Sequence, residues 1–170
     1  MRNNVRLSWV LAVLLAAAAI LLAGSETRDY GRAKPLVPQA QPHDLVALVE
    51  KFEGYKDDFL EMAESRKGDP EFELLMYLEN IAARVDERLS ADQIMISMYD
   101  QIQCPDDRAR VRAYVSVHFA HESKAIDFDL GSVNRTLVHS QISAVAQIGL
   151  QMKNDLRATK EKLDSIIASL

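Results

Sequence analysis

The residues whose types and spacing suit chemistry best are two histidines and a glutamate within five positions of one another. His118, His121 and Glu122 follow a three- and four-residue spacing, which makes them neighbours on the surface of a helix. Imidazole and carboxylate groups are ligands for transition metals. Metal sites in helical bundles, however, draw ligands from at least two helices. We therefore keep these three residues as the metal candidates of the chain and expect a structural role, with His118 and Glu122 as a buried pair.

Other catalytic signatures are missing from the sequence. It contains no Glu-x-x-His or His-Glu-x-x-His motif, no glycine-rich phosphate loop and no Gly-x-Ser-x-Gly motif. Cys104 is the only cysteine, so no disulfide forms within the chain. We assign no catalytic residue and no cofactor, and we expect a protein that is not an enzyme.

The first 25 residues resemble an export signal. Arg2 and Arg6 provide a positive end, and residues 7–25 contain no charged side chain. The small residues Ala23–Ser25 favour cleavage by a signal peptidase, which we prefer. The length of the uncharged run suits an uncleaved membrane anchor instead. The Ala- and Leu-rich composition is typical of bacterial leaders, so we expect the periplasm or the periplasmic face of the inner membrane.

The rest of the chain divides into a tether and one domain. Residues 26–42 contain a glycine, three prolines and mixed charges without apolar periodicity, which predicts a flexible tether. Residues 43–170 are long enough for one folded domain. After the leader, 18 basic and 25 acidic side chains give a net charge of −7. That charge disfavours nucleic acid as a partner, and contact with a membrane is expected only through the leader.

From His43 onward the hydrophobic pattern is helical. Apolar residues at intervals of three and four predict a first helix, which the turn Lys67–Pro70 ends. A second helix follows, and Ser90 with Gln93 forms a capping box for a short third helix. On the first helix, acidic residues recur on a separate face. We interpret them as a solvated surface, and a docking surface for a basic partner is the alternative: Glu50, Glu53, Asp57, Glu61 and Glu64.

Residues 111–130 carry two patterns. Val111, Val115 and Phe119 fit one face of a helix, and the Pro105-Asp106-Asp107 sequence suits a helix start. The same segment also alternates between apolar and polar residues, which is typical of a β-hairpin. We prefer the helix, and an α+β fold with a hairpin at 111–130 is the alternative.

The C-terminal segment has the most regular pattern of the chain. After the break expected at Gly131–Ser132, apolar residues follow a heptad spacing over four heptads, as in a coiled coil. A helix of about 35 residues would extend about 50 Å and outreach its neighbours. We prefer to interpret the seam as the face with which this helix lines its own bundle, because the upstream helices need a packing partner. The surplus length offers a candidate partner-binding surface formed by Leu156, Leu163, Ile166 and Leu170.

Together these features predict an all-α bundle of four or five helices with a long C-terminal helix. We expect an exported cell-envelope protein that acts as a non-enzymatic interaction or scaffold module through that helix. Its partner would be a helical protein or a second copy of the chain. The alternative is a periplasmic helical domain that binds a small molecule or a metal around His118.

The leader generates the first testable prediction. We expect a reporter fused after Leu170 to be active outside the cytoplasm, because Arg2, Arg6 and the uncharged run direct export. The intact mass of the purified protein then distinguishes cleavage before Glu26 from an anchor that retains Met1. A reporter active only in the cytoplasm would contradict the prediction.

Overall fold

The domain is built from α-helices alone. The structure, a computed structural model, describes residues 43–140 and 143–170; the leader at 1–25 and the tether at 26–42 lie outside these ranges. The described part contains four helices and no strand. In chain order they are α1 (Val46–Glu64), α2 (Phe72–Asp100), α3 (Pro105–Leu137) and α4 (Ser143–Ser169). None of them is both long and apolar enough to cross a membrane.

The helices form a four-helix bundle in which sequence neighbours pack side by side. α1 packs against α2 and α3 against α4, and contacts between α2 and α3 and between α4 and α1 close the ring. Each apolar stripe faces the interior; in α1 it consists of Phe52, Tyr55, Phe59 and Ala63. The helical periodicity predicted from His43 onward is therefore confirmed, and α1 and α3 occupy diagonal corners of the bundle.

Two predicted helix boundaries are wrong. Ser90 lies inside α2, so the predicted second and third helices are one helix of 29 residues. Gly131 and Ser132 lie inside α3, where the Ser132 hydroxyl donates a hydrogen bond to the carbonyl of Phe128. A serine inside a helix can bond the carbonyl one turn earlier, although serine is favoured at N-caps. Tertiary packing decides between these two roles of a serine, and the local sequence contains no information about that packing.

Residues 111–130 are helical, as preferred, and the hairpin alternative is wrong. Pro105 occupies the first turn of α3 with Asp106 and Asp107, where proline and negative charge suit a helix N-terminus. Val115 and Phe119 are buried whereas Val117 is exposed. A strand would have placed all three on the same face.

The C-terminal helix is shorter than predicted. α4 begins at Ser143 and has 27 residues, fewer than α2 or α3. The seam residues within this helix are buried in the core, whereas Val138, which the heptad spacing also includes, precedes the helix and is 81% exposed. At Gly149 the seam has no side chain, and the Leu137 side chain occupies the space that a Cβ atom there would enter. The polar member Thr159 is buried and donates to the carbonyl of Asp155 at 2.8 Å.

The buried seam generates the second prediction. The double substitution Leu163→Glu with Ile166→Glu should unfold the domain, because two unpaired charges in the core cost several kcal/mol against a typical stability of about 5–15 kcal/mol. Circular dichroism and thermal melting provide the measurement.

The matched control places the same charges on the outer side of the same helix. Ser165→Glu with Ala168→Glu should leave the melt nearly unchanged, since both residues are exposed. A cooperative melt of the Leu163 and Ile166 variant at the wild-type temperature would contradict the packing described here.

Candidate functional site

The structure does not assemble the metal candidates into one site. His118 Nε2 lies 2.7 Å from a carboxylate oxygen of Asp92 on α2, and Glu122 Oε2 lies 3.5 Å from Arg88 Nε. His121 is exposed. Within residues 43–140 and 143–170, no three histidine, cysteine or acidic side chains are placed to hold a metal ion. His118 and Glu122 do not form the predicted pair with each other. Each pairs with a residue of α2, His118 with Asp92 and Glu122 with Arg88.

His118 and Glu122 instead belong to a line of charged side chains between α2 and α3, which we call the α2–α3 polar ladder. Its members are Arg84, Arg88 and Asp92 on α2 and His118, Glu122 and Asp129 on α3. At its centre Asp129 is fully buried. One of its oxygens accepts from Arg84 at 2.5 Å, and the other accepts from Arg88. A buried carboxylate with two guanidinium donors on a neighbouring helix fixes how the two helices are rotated and registered.

Charge balance in the ladder depends on the protonation of His118. Three carboxyl groups face two arginines, so with all three ionised the ladder is neutral when His118 carries the third positive charge. The hydrogen bond to Asp92 raises the pKa of His118 above its usual value. Burial raises the pKa of Glu122. The second oxygen of Asp92 is buried and has no hydrogen-bond partner among the described residues, so Asp92 relies on His118 for compensation.

A second polar cluster joins three helix ends at one end of the bundle. His43 precedes α1, Asp100 ends α2 and Ser169 ends α4. His43 Nδ1 lies 2.9 and 3.0 Å from the two oxygens of Asp100, and Nε2 lies 2.9 Å from the Ser169 hydroxyl. We call these three residues the end clasp. Its connectivity, serine to imidazole to carboxylate, is that of a hydrolytic triad.

The hydrogen bonds of Ser169 suit a structural clasp better than a nucleophile. Its hydroxyl donates to the carbonyl of Ile166 at 2.8 Å, whereas a serine nucleophile donates to the imidazole that acts as its base. The two ring nitrogens of His43 bridge the Asp100 carboxylate and the Ser169 hydroxyl. Asp100 also lies 3.5 Å from the guanidinium of Arg108. The clasp thus connects the entrance of α1 to the C-terminal ends of α2 and α4.

A third polar cluster brings a serine and a lysine together between α3 and α4. Lys160 Nζ lies 3.1 Å from the Ser123 hydroxyl and 2.8 Å from a carboxylate oxygen of Asp127. The hydrogen bond to Asp127 raises the pKa of Lys160. Lys160 is therefore protonated at neutral pH and does not serve as a general base for Ser123. The Ser123 hydroxyl donates to Asp164 at 2.7 Å.

The outward side of α3 carries large apolar side chains in solvent. Tyr114, Val117 and Phe128 are 52%, 58% and 66% exposed. They share one face of the helix with basic side chains. We define the α3 outer face as Arg110, Tyr114, Val117, His121, Lys124, Phe128 and Arg135, all of which are exposed.

The predicted partner-binding residues lie elsewhere. Leu156, Leu163, Ile166 and Leu170 belong to the hydrophobic core, so a partner would reach them only by opening the bundle. Their partner-binding role stays a prediction.

The groups that sequence reasoning missed come from separate helices. His43, Asp100 and Ser169 are separated by 57 and 69 positions, and no motif links them. The sequences around Asp92 and Asp129 have a helical pattern. That pattern places the two residues at a helix end or facing solvent, so it did not predict their burial. The exposed aromatic side chains of α3 had a detectable signal, since Tyr114 and Phe128 lie outside the apolar stripe of Val111, Val115 and Phe119.

Comparison with known proteins gives no relative for this chain: no protein-family model matches it, and no curated protein or solved structure is significantly similar to it.

The polar ladder generates the third prediction. Because the folded pKa of His118 is raised, its stabilising contribution is complete below the unfolded value of 6.5 and is lost as pH rises through the folded pKa. We expect the free energy of unfolding to fall over that interval, and His118→Gln to reduce this dependence on pH. Urea unfolding across a pH series provides the measurement.

His121→Gln is the matched control, because His121 lies on the same helix but is exposed. It should retain the pH dependence of the wild-type protein. An unchanged pH profile in the His118→Gln variant would contradict the role given to the His118–Asp92 pair.

Proposed function

We propose that the chain is an exported, non-enzymatic interaction module of the cell envelope, and that its docking surface is the α3 outer face. The observation that carries this proposal is the exposure of three large apolar side chains, Tyr114, Val117 and Phe128, on one side of one helix. Apolar side chains grouped on a surface and bordered by polar residues mark interaction sites. Tyrosine and phenylalanine are also enriched in protein interfaces.

The proposed surface differs from the one expected from the sequence. The four residues of the C-terminal seam are occupied in packing the core, whereas all residues of the α3 outer face are exposed. A module that binds through α3 needs no rearrangement of the bundle. Binding through the seam of α4 would expose the side chains that hold the bundle together.

The polar clusters support a non-enzymatic role. In the end clasp the Ser169 hydroxyl donates to a backbone carbonyl, and in the α3–α4 cluster the amine of Lys160 is held protonated. Neither arrangement activates its serine. The positions of His118, His121 and Glu122 do not support the alternative function, a metal-binding domain. The groove beside the turn at Gly68–Glu73 is open to solvent.

Export rests on the leader. Arg2, Arg6 and the uncharged residues 7–25 support it. Placement of the domain in the periplasm or at the periplasmic face of the inner membrane follows from that signal, and the Pro-containing residues 26–42 would separate the domain from the membrane or the cleavage site.

Site-specific crosslinking tests this proposal. A photo-crosslinking amino acid at position 117 or 128 of the full chain in its host should yield a discrete protein adduct, because partner atoms would lie against those side chains. The matched control is position 150, where Leu150 on α4 is also about half exposed. Adducts of equal yield at position 150, or none at 117 and 128, would contradict the docking surface.

A further inference from the structure

The outward side of α1 is the electrostatic complement of the α3 outer face. We define the α1 outer face as Glu50, Glu53, Asp57, Glu61 and Glu64, all exposed and spaced by three or four residues. None of the five forms an ion pair with another described residue. Val46 and Leu60, 44% and 40% exposed, accompany them on α1. The face therefore combines unpaired negative charge with accessible apolar surface.

The α3 outer face presents the opposite combination. Arg110, Lys124 and Arg135 provide positive charge beside the exposed apolar side chains. Arg110 is partly neutralised by Asp107 at 3.8 Å. Arg135 donates to the neutral Ser132 hydroxyl, and no carboxylate among the described residues forms an ion pair with it. Lys124 and Arg135 are therefore the main attractive groups for a negatively charged partner.

The two faces cannot meet within one chain. α1 and α3 each pack against α2 and α4 and occupy diagonal corners of the bundle, so their outer sides point away from each other. Contact between the faces requires two molecules.

We propose that the α3 outer face of one copy binds the α1 outer face of a second copy. This inference rests on the proposed function, since it names the partner of the same surface. The contact joins two different faces, so each bound copy leaves a free α1 face at one side and a free α3 face at the other. Such an interface propagates into an open chain of molecules unless the rotation between copies closes a ring.

The dimensions of the faces suit one helix lying along another. The five acidic residues of α1 extend over about 21 Å, and the α3 outer face extends over about 38 Å, at 1.5 Å per residue. The acidic stretch therefore fits within the longer basic and aromatic face. A single helix pair is small for a protein interface, so we expect reversible association that weakens with salt.

A second copy fits this face better than an anionic lipid surface does. The part of the chain after the leader has a net charge of −7, which opposes approach to a negatively charged membrane and equally to a second copy, so the local charges of the two faces decide the preference. The α1 outer face, by contrast, offers carboxylates at helical spacing together with Val46 and Leu60 to cover the aromatic side chains.

A charge-swap experiment tests the proposal on the full chain as isolated from its host. Sedimentation velocity of the wild-type protein should show concentration-dependent self-association. Lys124→Glu with Arg135→Glu should weaken it at least about tenfold, and Glu53→Lys with Asp57→Lys should do the same, because each pair then repels its counterpart. An equimolar mixture of the two variants should associate again, since the exchanged charges are complementary.

Matched controls separate this contact from general charge effects and from misfolding. Glu161→Lys changes an exposed charge on α4 and should leave association unchanged. Lys124→Gln with Arg135→Gln removes the charges without reversing them and should give an intermediate loss. Circular dichroism should show the wild-type fold in every variant.

Three results would overturn the proposal. A wild-type chain that stays monomeric at all concentrations excludes a second copy, while crosslinking of a host protein at positions 117 and 128 would leave the proposed function standing. Failure of the mixed variants to associate excludes the pairing of α1 with α3. Loss of binding to phosphatidylglycerol vesicles in the Lys124 and Arg135 variant, with self-association intact, assigns the face to lipid.

Discussion

The buried carboxylate of Asp129 is the constraint on which the arrangement of the helices depends. It accepts hydrogen bonds from Arg84 and Arg88 on α2, and this fixes the rotation of α3 where the two helical hairpins meet. Removal of both arginines would leave the buried carboxylate uncompensated, which is strongly destabilising. With α3 fixed in this rotation, Val115 and Phe119 enter the core. Tyr114, Val117 and Phe128 then face solvent, so the proposed docking surface is a consequence of the ladder.

The sequence predicted the helical architecture because apolar periodicity reports which side of each helix is buried. It predicted α1, the turn at Gly68 and the start of α3 at Pro105 from local chemistry. The breaks at Ser90 and at Gly131–Ser132 were wrong for a common reason. Serine and glycine weaken a helix by amounts that burial of the neighbouring turns outweighs. The length of each helix in this bundle depends on the helices that pack against it. A single sequence does not show which segments pack together.

The candidate site was less accessible to sequence reasoning. His118 was recognised as a group that needs a buried partner, but the partner is Asp92, 26 positions earlier. A short-range search finds only neighbours on the same helix, and the ladder and the end clasp both join different helices. The acidic residues of α1 were predicted to form a solvated face, and they are exposed. The proposed complementary surface on α3 could be identified only from the fold, which shows which residues of α3 are exposed.

Cysteine accessibility tests the rotation of α3 most directly. In a Cys104→Ser background, single cysteines replacing Val117 or Phe128 should react rapidly with a maleimide in the native state, whereas cysteines replacing Val115 or Val133 should be protected. Asp129→Ala in the same background should reduce this contrast, because the ladder no longer fixes the helix. Equal reactivity at all four positions with Asp129 intact, or protection at 117 and 128, would contradict the proposed rotation and with it the docking surface.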